Sequence, residues 1–110
     1  MSDLSKKPVP NYAPVYAAAM YPELAAIARK HGYALAVHGS LARDLDLIAI
    51  PWTLEADDPK QVVDEILATF SVTLVGGVGE KPHGRIAYTL SVGWGHCAID
   101  LQFTPRAPST

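Results

Sequence analysis

Cysteine is nearly absent from the sequence: only Cys97 is present, so no disulfide can form within the chain. A chain without disulfides is typical of a reducing compartment, and we expect a cytoplasmic location. No apolar run approaches the roughly 20 residues that a helix needs to cross a bilayer, so no membrane association is expected. The first ten residues are polar, with two lysines and two prolines, and lack the apolar segment of a secretory signal.

Positive charge is also scarce. Nine lysines and arginines are set against eleven aspartates and glutamates, which gives a formal net charge of -2. Proteins that hold nucleic acid through its phosphates are usually basic, so general nucleic-acid binding is not expected. A local phosphate site needs only a few donors and stays open. The 110 residues, 49% of them hydrophobic, fit a single folded domain spanning the whole chain.

The hydrophobic pattern predicts elements in the order α-β-β-α-β-β-β. Hairpins outnumber crossovers in this order, so we expect an α+β fold with a mixed or antiparallel sheet of about five strands and two helices on one face. Pro22 predicts either a kink in the first helix or the start of another, and Asp58 is the expected N-cap of the second. The predicted helices cover 13–31 and 59–70, the strands 33–38, 45–50, 71–75, 85–92 and 97–103, a loose glycine loop 76–82, and flexible ends 1–11 and 104–110.

Two aspartates alternate at the start of the second predicted strand. Because side chains alternate along a strand, Asp44 and Asp46 share one face. Neighbouring carboxylates repel each other, and a divalent cation such as Mg²⁺ or Mn²⁺ is the usual compensation. If the strand CAIDLQF lies alongside, Asp100 reaches the same place, which predicts a metal site of three aspartates. The alternative is a salt bridge from Asp46 to Arg43 or Arg85.

The pair Gly39-Ser40 directly precedes these aspartates. Glycine lets the backbone approach a ligand closely, and exposed N–H groups together with a serine hydroxyl can hold phosphate oxygens. The following residues 41–43 predict about one helical turn, whose N-terminus favours an anion. The sequence therefore predicts a phosphate site at this turn.

Several cationic or imidazole side chains are candidates to complete the site. Arg43, Lys81, His83 and Arg85 can reach phosphate groups, although a solvated loop and a strand edge are the slightly favoured explanation for the last three. His38 and His96 are candidate metal ligands that would favour zinc, but lone histidines at strand ends are usually structural. The carboxylates therefore favour magnesium over zinc.

The elements VHGS, DLDL and AIDL resemble the nucleotidyltransferase superfold across residues 33–103. The resemblance implies Mg²⁺-dependent transfer of a nucleotidyl group from a nucleoside triphosphate. It implies that Gly39 and Ser40 hold the triphosphate and that Asp44 and Asp46 bind the metal. It also implies that Asp100 completes the site or activates the acceptor hydroxyl.

The segments HGSLARDLDLIAIPW, KPHGRIAYTL and IDLQFTPR also resemble short uncharacterised phage and prophage proteins, which would place the chain in a host cytoplasm. One departure from the superfold is the spacing, since only residues 41–43 separate the Gly-Ser pair from Asp44, where a helix and a turn are usual. Either the phosphate grip is remodelled in a minimal transferase, or the chain is a catalytically silent binding module that acts on a host protein or a nucleotide. A protein partner or a second copy of the chain stays open.

Overall fold

The computed structural model describes residues 11–106. The flexible ends predicted at 1–11 and 104–110 therefore lie outside the described residues, except for residues 11 and 104–106. The described chain has the predicted element order. Short 3₁₀ turns at Pro82–Gly84 and Gly93–Gly95 join the last three strands. The helices and strands are α1 (Ala13–Lys30), β1 (Tyr33–His38), β2 (Leu45–Pro51), α2 (Pro59–Thr69), β3 (Thr73–Lys81), β4 (Arg85–Val92) and β5 (Cys97–Phe103).

Both helices begin and end on recognisable local signals. The side chain of Asp58 accepts a hydrogen bond from the backbone N–H of Lys60 at 3.0 Å, as expected of the α2 N-cap. α1 continues as one helix through Pro22 and ends on Lys30 just before Gly32, whose φ of +91° suits glycine. Neither described helix is both long and apolar enough to cross a membrane.

The five strands form one mixed sheet in the order β1-β2-β5-β4-β3. β2 and β5 are parallel, and every other neighbouring pair is antiparallel. The chain must cross from β2 through α2, β3 and β4 before β5 can insert beside β2. The predicted α+β architecture is confirmed, and its only parallel pair among the described strands joins the two strands that carry Asp46 and Asp100.

Both helices pack on one face of this sheet. Leu24 of α1 and Ile66 of α2 are buried against Leu47, Leu90 and Leu101. Burying each such side chain contributes roughly 1.5–3 kcal/mol relative to leaving it in water. Since side chains alternate along a strand, the residues between these apolar positions point to the opposite face, which no described helix covers.

The third strand differs from its prediction. The residues expected to form a loose glycine loop instead belong to strand β3, which continues to Lys81. A bulge interrupts its pairing with β4: Val75 lies opposite Thr89 before the bulge, and Gly79 lies opposite Ala87 after it. Glycine is a poor strand former, so the local sequence argues against a strand here. The backbone of β4 supplies hydrogen-bond partners for β3, and this pairing outweighs the low strand propensity of the glycines.

A histidine with two carboxylate partners joins the end of α1 to α2. The ring nitrogens Nδ1 and Nε2 of His31 lie 2.8 Å from Asp57 Oδ2 and 2.8 Å from Glu65 Oε1. Burial lowers the pKa of His31, but hydrogen bonds and charges from Asp57 and Glu65 outweigh that effect and leave the pKa raised. The pKa of Glu65 is lowered by its hydrogen bonds to His31 and Lys30. The cluster is therefore most stabilising when the imidazolium faces ionised carboxylates.

We expect the stability lost in His31→Gln to depend on pH. Because the folded-state pKa of His31 is raised, its contribution is fully present below the unfolded value of about 6.5 and is lost as pH rises through the folded value. The contribution of Glu65 is lost as pH falls through its own lowered pKa, so the loss should peak in the mildly acidic range between the two. Urea unfolding across pH measures this difference. Lys60→Gln, which removes an exposed pair with Asp64, is the control and should show little change over the same range.

Candidate functional site

Four polar side chains form a row across the helix-free face. His38 is the register partner of Asp46, Asp46 that of Asp100, and Asp100 that of Thr89. The row crosses β1, β2, β5 and β4. Neighbouring strands lie about 4.8 Å apart, and paired residues in register point to the same face. Asp46 and Asp100 are thus direct neighbours on one face, as the predicted metal site requires.

Asp46 is the electrostatically perturbed member of this row. Burial raises the pKa of the Asp46 carboxyl, the charges of Asp100 and Asp44 raise it further, and His38 opposes them. No salt bridge of Asp46 is formed within residues 11–106. Arg85, one of its two predicted partners, instead donates to Gln102 Oε1 at 3.0 Å and to the carbonyl oxygen of Pro82 at 3.1 Å. The repulsion between the carboxylates therefore has no arginine beside it as compensation.

Gly39 lies directly against this carboxylate. Its φ is +75°, and a Cβ at this position would lie 2.5 Å from Asp46 Oδ2. Both the backbone conformation and the close approach require glycine. The Gly-Ser turn therefore lies close against the second aspartate, with no room for a side chain at position 39.

The helical turn predicted at residues 41–43 is wrong. Leu41 has a left-handed φ of +57°, and the segment forms bends without helical hydrogen bonds. Ser40 Oγ accepts the backbone N–H of Ala42 at 3.2 Å, and Asn11 Nδ2 donates to the carbonyl oxygen of Leu41 at 2.7 Å. The first bond folds the short connection on itself and the second ties it to the residue two positions before α1, so no helix N-terminus is available to an anion.

A second group of predicted residues lines one cavity on the same face. Asp44, Asp100 and Lys81 surround a space of about 210 Å³, together with Thr89 and two glycines of β3. Arg43 lines a different, neighbouring cavity of about 370 Å³ beside Asp44 and His96. The structure thus brings Lys81 to the carboxylates, whereas Arg85 is bonded elsewhere and Arg43 lies to one side.

The candidate metal donors of this row are the carboxylates of Asp46 and Asp100 and the imidazole of His38. Within residues 11–106, no group of three or more histidine, cysteine, aspartate or glutamate side chains is arranged to hold a metal ion. The two adjacent carboxylates, Asp46 and Asp100, nevertheless match Mg²⁺, which is commonly held by one or two carboxylates while phosphate oxygens and waters fill the other positions. His96 stacks on Tyr12 with ring centroids 4.5 Å apart and lines the neighbouring cavity with Asp44 and Arg43.

Strand register places two further members of the row, Thr89 and His38, beside the aspartates. The sequence does not single out Thr89, because its place opposite Asp100 depends on the β4–β5 pairing. The sequence signal for its orientation is alternation: Thr89 lies between the apolar residues Tyr88 and Leu90, which are buried on the other face. His38 Nε2 is buried without a hydrogen-bond partner in the described chain, which leaves a free polar atom beside Asp46.

Comparison with known proteins gives no match: no family model, curated protein or solved structure matches the chain. The nucleotidyltransferase resemblance therefore stays a prediction from the sequence.

Proposed function

We propose that this chain is a minimal nucleotidyltransferase-like domain that binds a divalent cation, Mg²⁺ or Mn²⁺, together with a nucleotide on the helix-free face. The observation that carries the proposal is the direct pairing of Asp46 and Asp100 on neighbouring parallel strands. The half-buried Asp46 has a raised pKa because burial and the charge of Asp100 both oppose its ionisation.

The energetic reason is the unfavourable interaction of two like charges. Two carboxylates a few ångströms apart repel by on the order of 1 kcal/mol in water and more where solvent is partly excluded. An oxygen-binding cation between Asp46 and Asp100 converts this repulsion into attraction, and the phosphates of a nucleotide satisfy the remaining coordination positions. A pair of adjacent carboxylates that is costly without a ligand is typical of such a site.

The residues also suit the transfer reaction that the resemblance implies. An acceptor hydroxyl oxygen forms a bond to the α-phosphorus, the bond from that phosphorus to the bridging oxygen breaks, and pyrophosphate leaves with the electron pair. The acceptor proton passes to Asp100. Asp46 and Asp100 would hold the cation, with the charge of Asp44 nearby, and the cation when bound would neutralise the charge that develops on the phosphate oxygens.

A second candidate is a catalytically silent module that binds the nucleotide or a protein without transferring anything. The short, self-bonded turn favours it, because Ser40 Oγ already accepts the N–H of Ala42 and Leu41 blocks a helical cradle. This module would bind its ligand on the same face, so the same substitutions would weaken binding in both candidates. Only the release of pyrophosphate distinguishes the transferase from the silent module.

The test is calorimetric titration of Mn²⁺ into the protein with and without a mixture of the four nucleoside triphosphates, together with a coupled assay for pyrophosphate. We expect metal-dependent nucleotide binding in the wild type that is lost in Asp46→Asn. Asp64→Asn, which removes an exposed aspartate of α2, is the matched control and should bind as the wild type does.

The outcomes separate the candidates. Binding together with pyrophosphate release supports the transferase, whereas binding without release favours the silent module. Absence of any metal-dependent nucleotide binding, or equal binding by Asp46→Asn and the wild type, would contradict the proposed site.

A further inference from the structure

Strand β3 carries a bulge at its glycine-rich segment. Between the pairs Val75–Thr89 and Gly79–Ala87, β3 has the three residues Gly76–Val78 where β4 has only Tyr88. Residues Gly76–Val78 have no register partner on β4. Bulges are frequent at sheet edges, where β3 lies, and next to functional sites, where they redirect the backbone.

The glycines of this bulge are not explained by contacts within the chain. A Cβ placed on Gly77 would meet no atom within 4 Å, and one on Gly79 would meet only the carbonyl oxygen of Ala87 at 3.8 Å, an ordinary contact. Of the three glycines, only Gly76 has a positive φ, +69°. Neither a steric clash nor a positive φ requires glycine at 77, so the backbone of this segment is open to close approach by a ligand.

The position of the bulge indicates what approaches. Val75 is the register partner of Thr89, which is itself the register partner of Asp100. The bulge begins directly after Val75, so it lies at the β3 end of the row that contains Asp46 and Asp100. Gly77 and Gly79 line the same cavity as Asp100, Thr89 and Lys81. The Lys81 ammonium forms no ion pair within the described chain. A hydroxyl, a free ammonium and exposed backbone thus converge on one side of the carboxylates.

We propose that this bulge, together with Lys81 and Thr89, holds the phosphate chain of the bound nucleotide and replaces the turn at Gly39-Ser40 in that role. The inference rests on the proposed function, since it names the phosphate-binding half of the same site. Backbone N–H groups of a glycine-rich segment can approach phosphate oxygens closely, and a lysine ammonium adds a point charge. The carboxylates hold the cation that accompanies the phosphates.

The division of roles has a steric reason. The Gly-Ser turn is folded against Asp46 by its glycine and closed by the bond from Ala42 N–H to Ser40 Oγ. The N–H of Ala42 is therefore already used within the turn, whereas the open space around Gly77 leaves room for a ligand. The shortened connection after Ser40 is thus compatible with phosphate binding from the opposite side of the cavity.

The test measures binding of inorganic tripolyphosphate in the presence of Mn²⁺, and of Mn²⁺ alone, by calorimetry. We expect Gly77→Val and Lys81→Met each to weaken tripolyphosphate binding by about tenfold or more, the loss of roughly one charge-assisted contact. Mn²⁺ binding alone should be unchanged, because the carboxylates are untouched. Val78→Ala, in the same bulge but outside the cavity lining, and Ser40→Ala should each change the affinity less than about twofold.

Gly77→Val is suited to this test because the fold accepts a side chain there, and circular dichroism will verify that it folds. If Ser40→Ala weakens tripolyphosphate binding while Gly77→Val and Lys81→Met do not, the inference is wrong and the proposed function stands. If the wild type elutes as a dimer and Gly77→Val as a monomer with unchanged tripolyphosphate affinity, the glycine serves strand pairing and the inference is also wrong. If the wild type binds neither Mn²⁺ nor tripolyphosphate, both proposals fail together.

Discussion

Asp46→Asn should make the ligand-free domain more stable at neutral pH, by up to about 1 kcal/mol, the range measured for cross-strand charge pairs. The pKa of Asp46 is raised by burial and by the charge of Asp100, so its ionised form is less favourable in the folded chain than in the unfolded one. This cost is present at pH values above the folded pKa. It disappears as pH falls below the unfolded value, where the carboxyl is protonated in both states.

Urea unfolding near pH 7 and near pH 3, with and without Mn²⁺, tests this prediction. The variant should be the more stable protein near pH 7 without metal and should match the wild type near pH 3. With Mn²⁺ at about a hundred times its dissociation constant, the wild type should gain about 2.7 kcal/mol and become the more stable protein. A variant that is less stable than the wild type near pH 7 without metal would contradict the repulsion on which the site depends. Asp64→Asn should follow the wild type throughout.

Phe103→Ala should have the largest effect on folding, a loss of about 3–5 kcal/mol. Phe103 is 1% exposed at the end of β5 and meets Tyr33 and Tyr88 edge-to-face, with ring centroids 5.3 Å and 6.0 Å apart. Truncation removes both aromatic contacts and leaves a cavity. Since domains of this size are stable by only about 5–15 kcal/mol, the loss should be a large share of the total.

Trp52→Ala is the control for this prediction. Trp52 is 61% exposed, so its removal should change the free energy of unfolding by less than about 0.5 kcal/mol. Urea midpoints of the two variants and the wild type provide the comparison. Equal midpoints for Phe103→Ala and the wild type would mean that the aromatic contacts at the end of β5 do not stabilise the fold.

The element order could be predicted because hydrophobic periodicity and caps are local signals. Asp58 and Pro59 mark the start of α2, and alternation in β2 and β5 separates apolar from polar faces. β3 was only half predicted, since Gly77 and Gly79 are poor strand formers. Its full length depends on pairing with β4, which no local pattern encodes.

The candidate site divides in the same way. The shared face of Asp44 and Asp46 follows from alternation alone, whereas the place of Asp100 beside Asp46 depends on the insertion of β5 next to β2. Thr89 and Gly77 could not be assigned from the sequence, because their positions depend on strand register and on the bulge. The helical turn at 41–43 was wrong because a serine side chain competes with the helix for the backbone N–H.

The most direct test of the metal site is an NMR titration with Mn²⁺, whose unpaired electrons broaden the signals of nearby amides. We expect the amides of Asp46 and Asp100 to broaden together and first, followed by those of Gly39 and Thr89. Residues 57 and 65, in the acidic cluster around His31, serve as the internal comparison and should be affected only at higher concentration. Broadening centred on that cluster, or none at either aspartate, would contradict the proposed site.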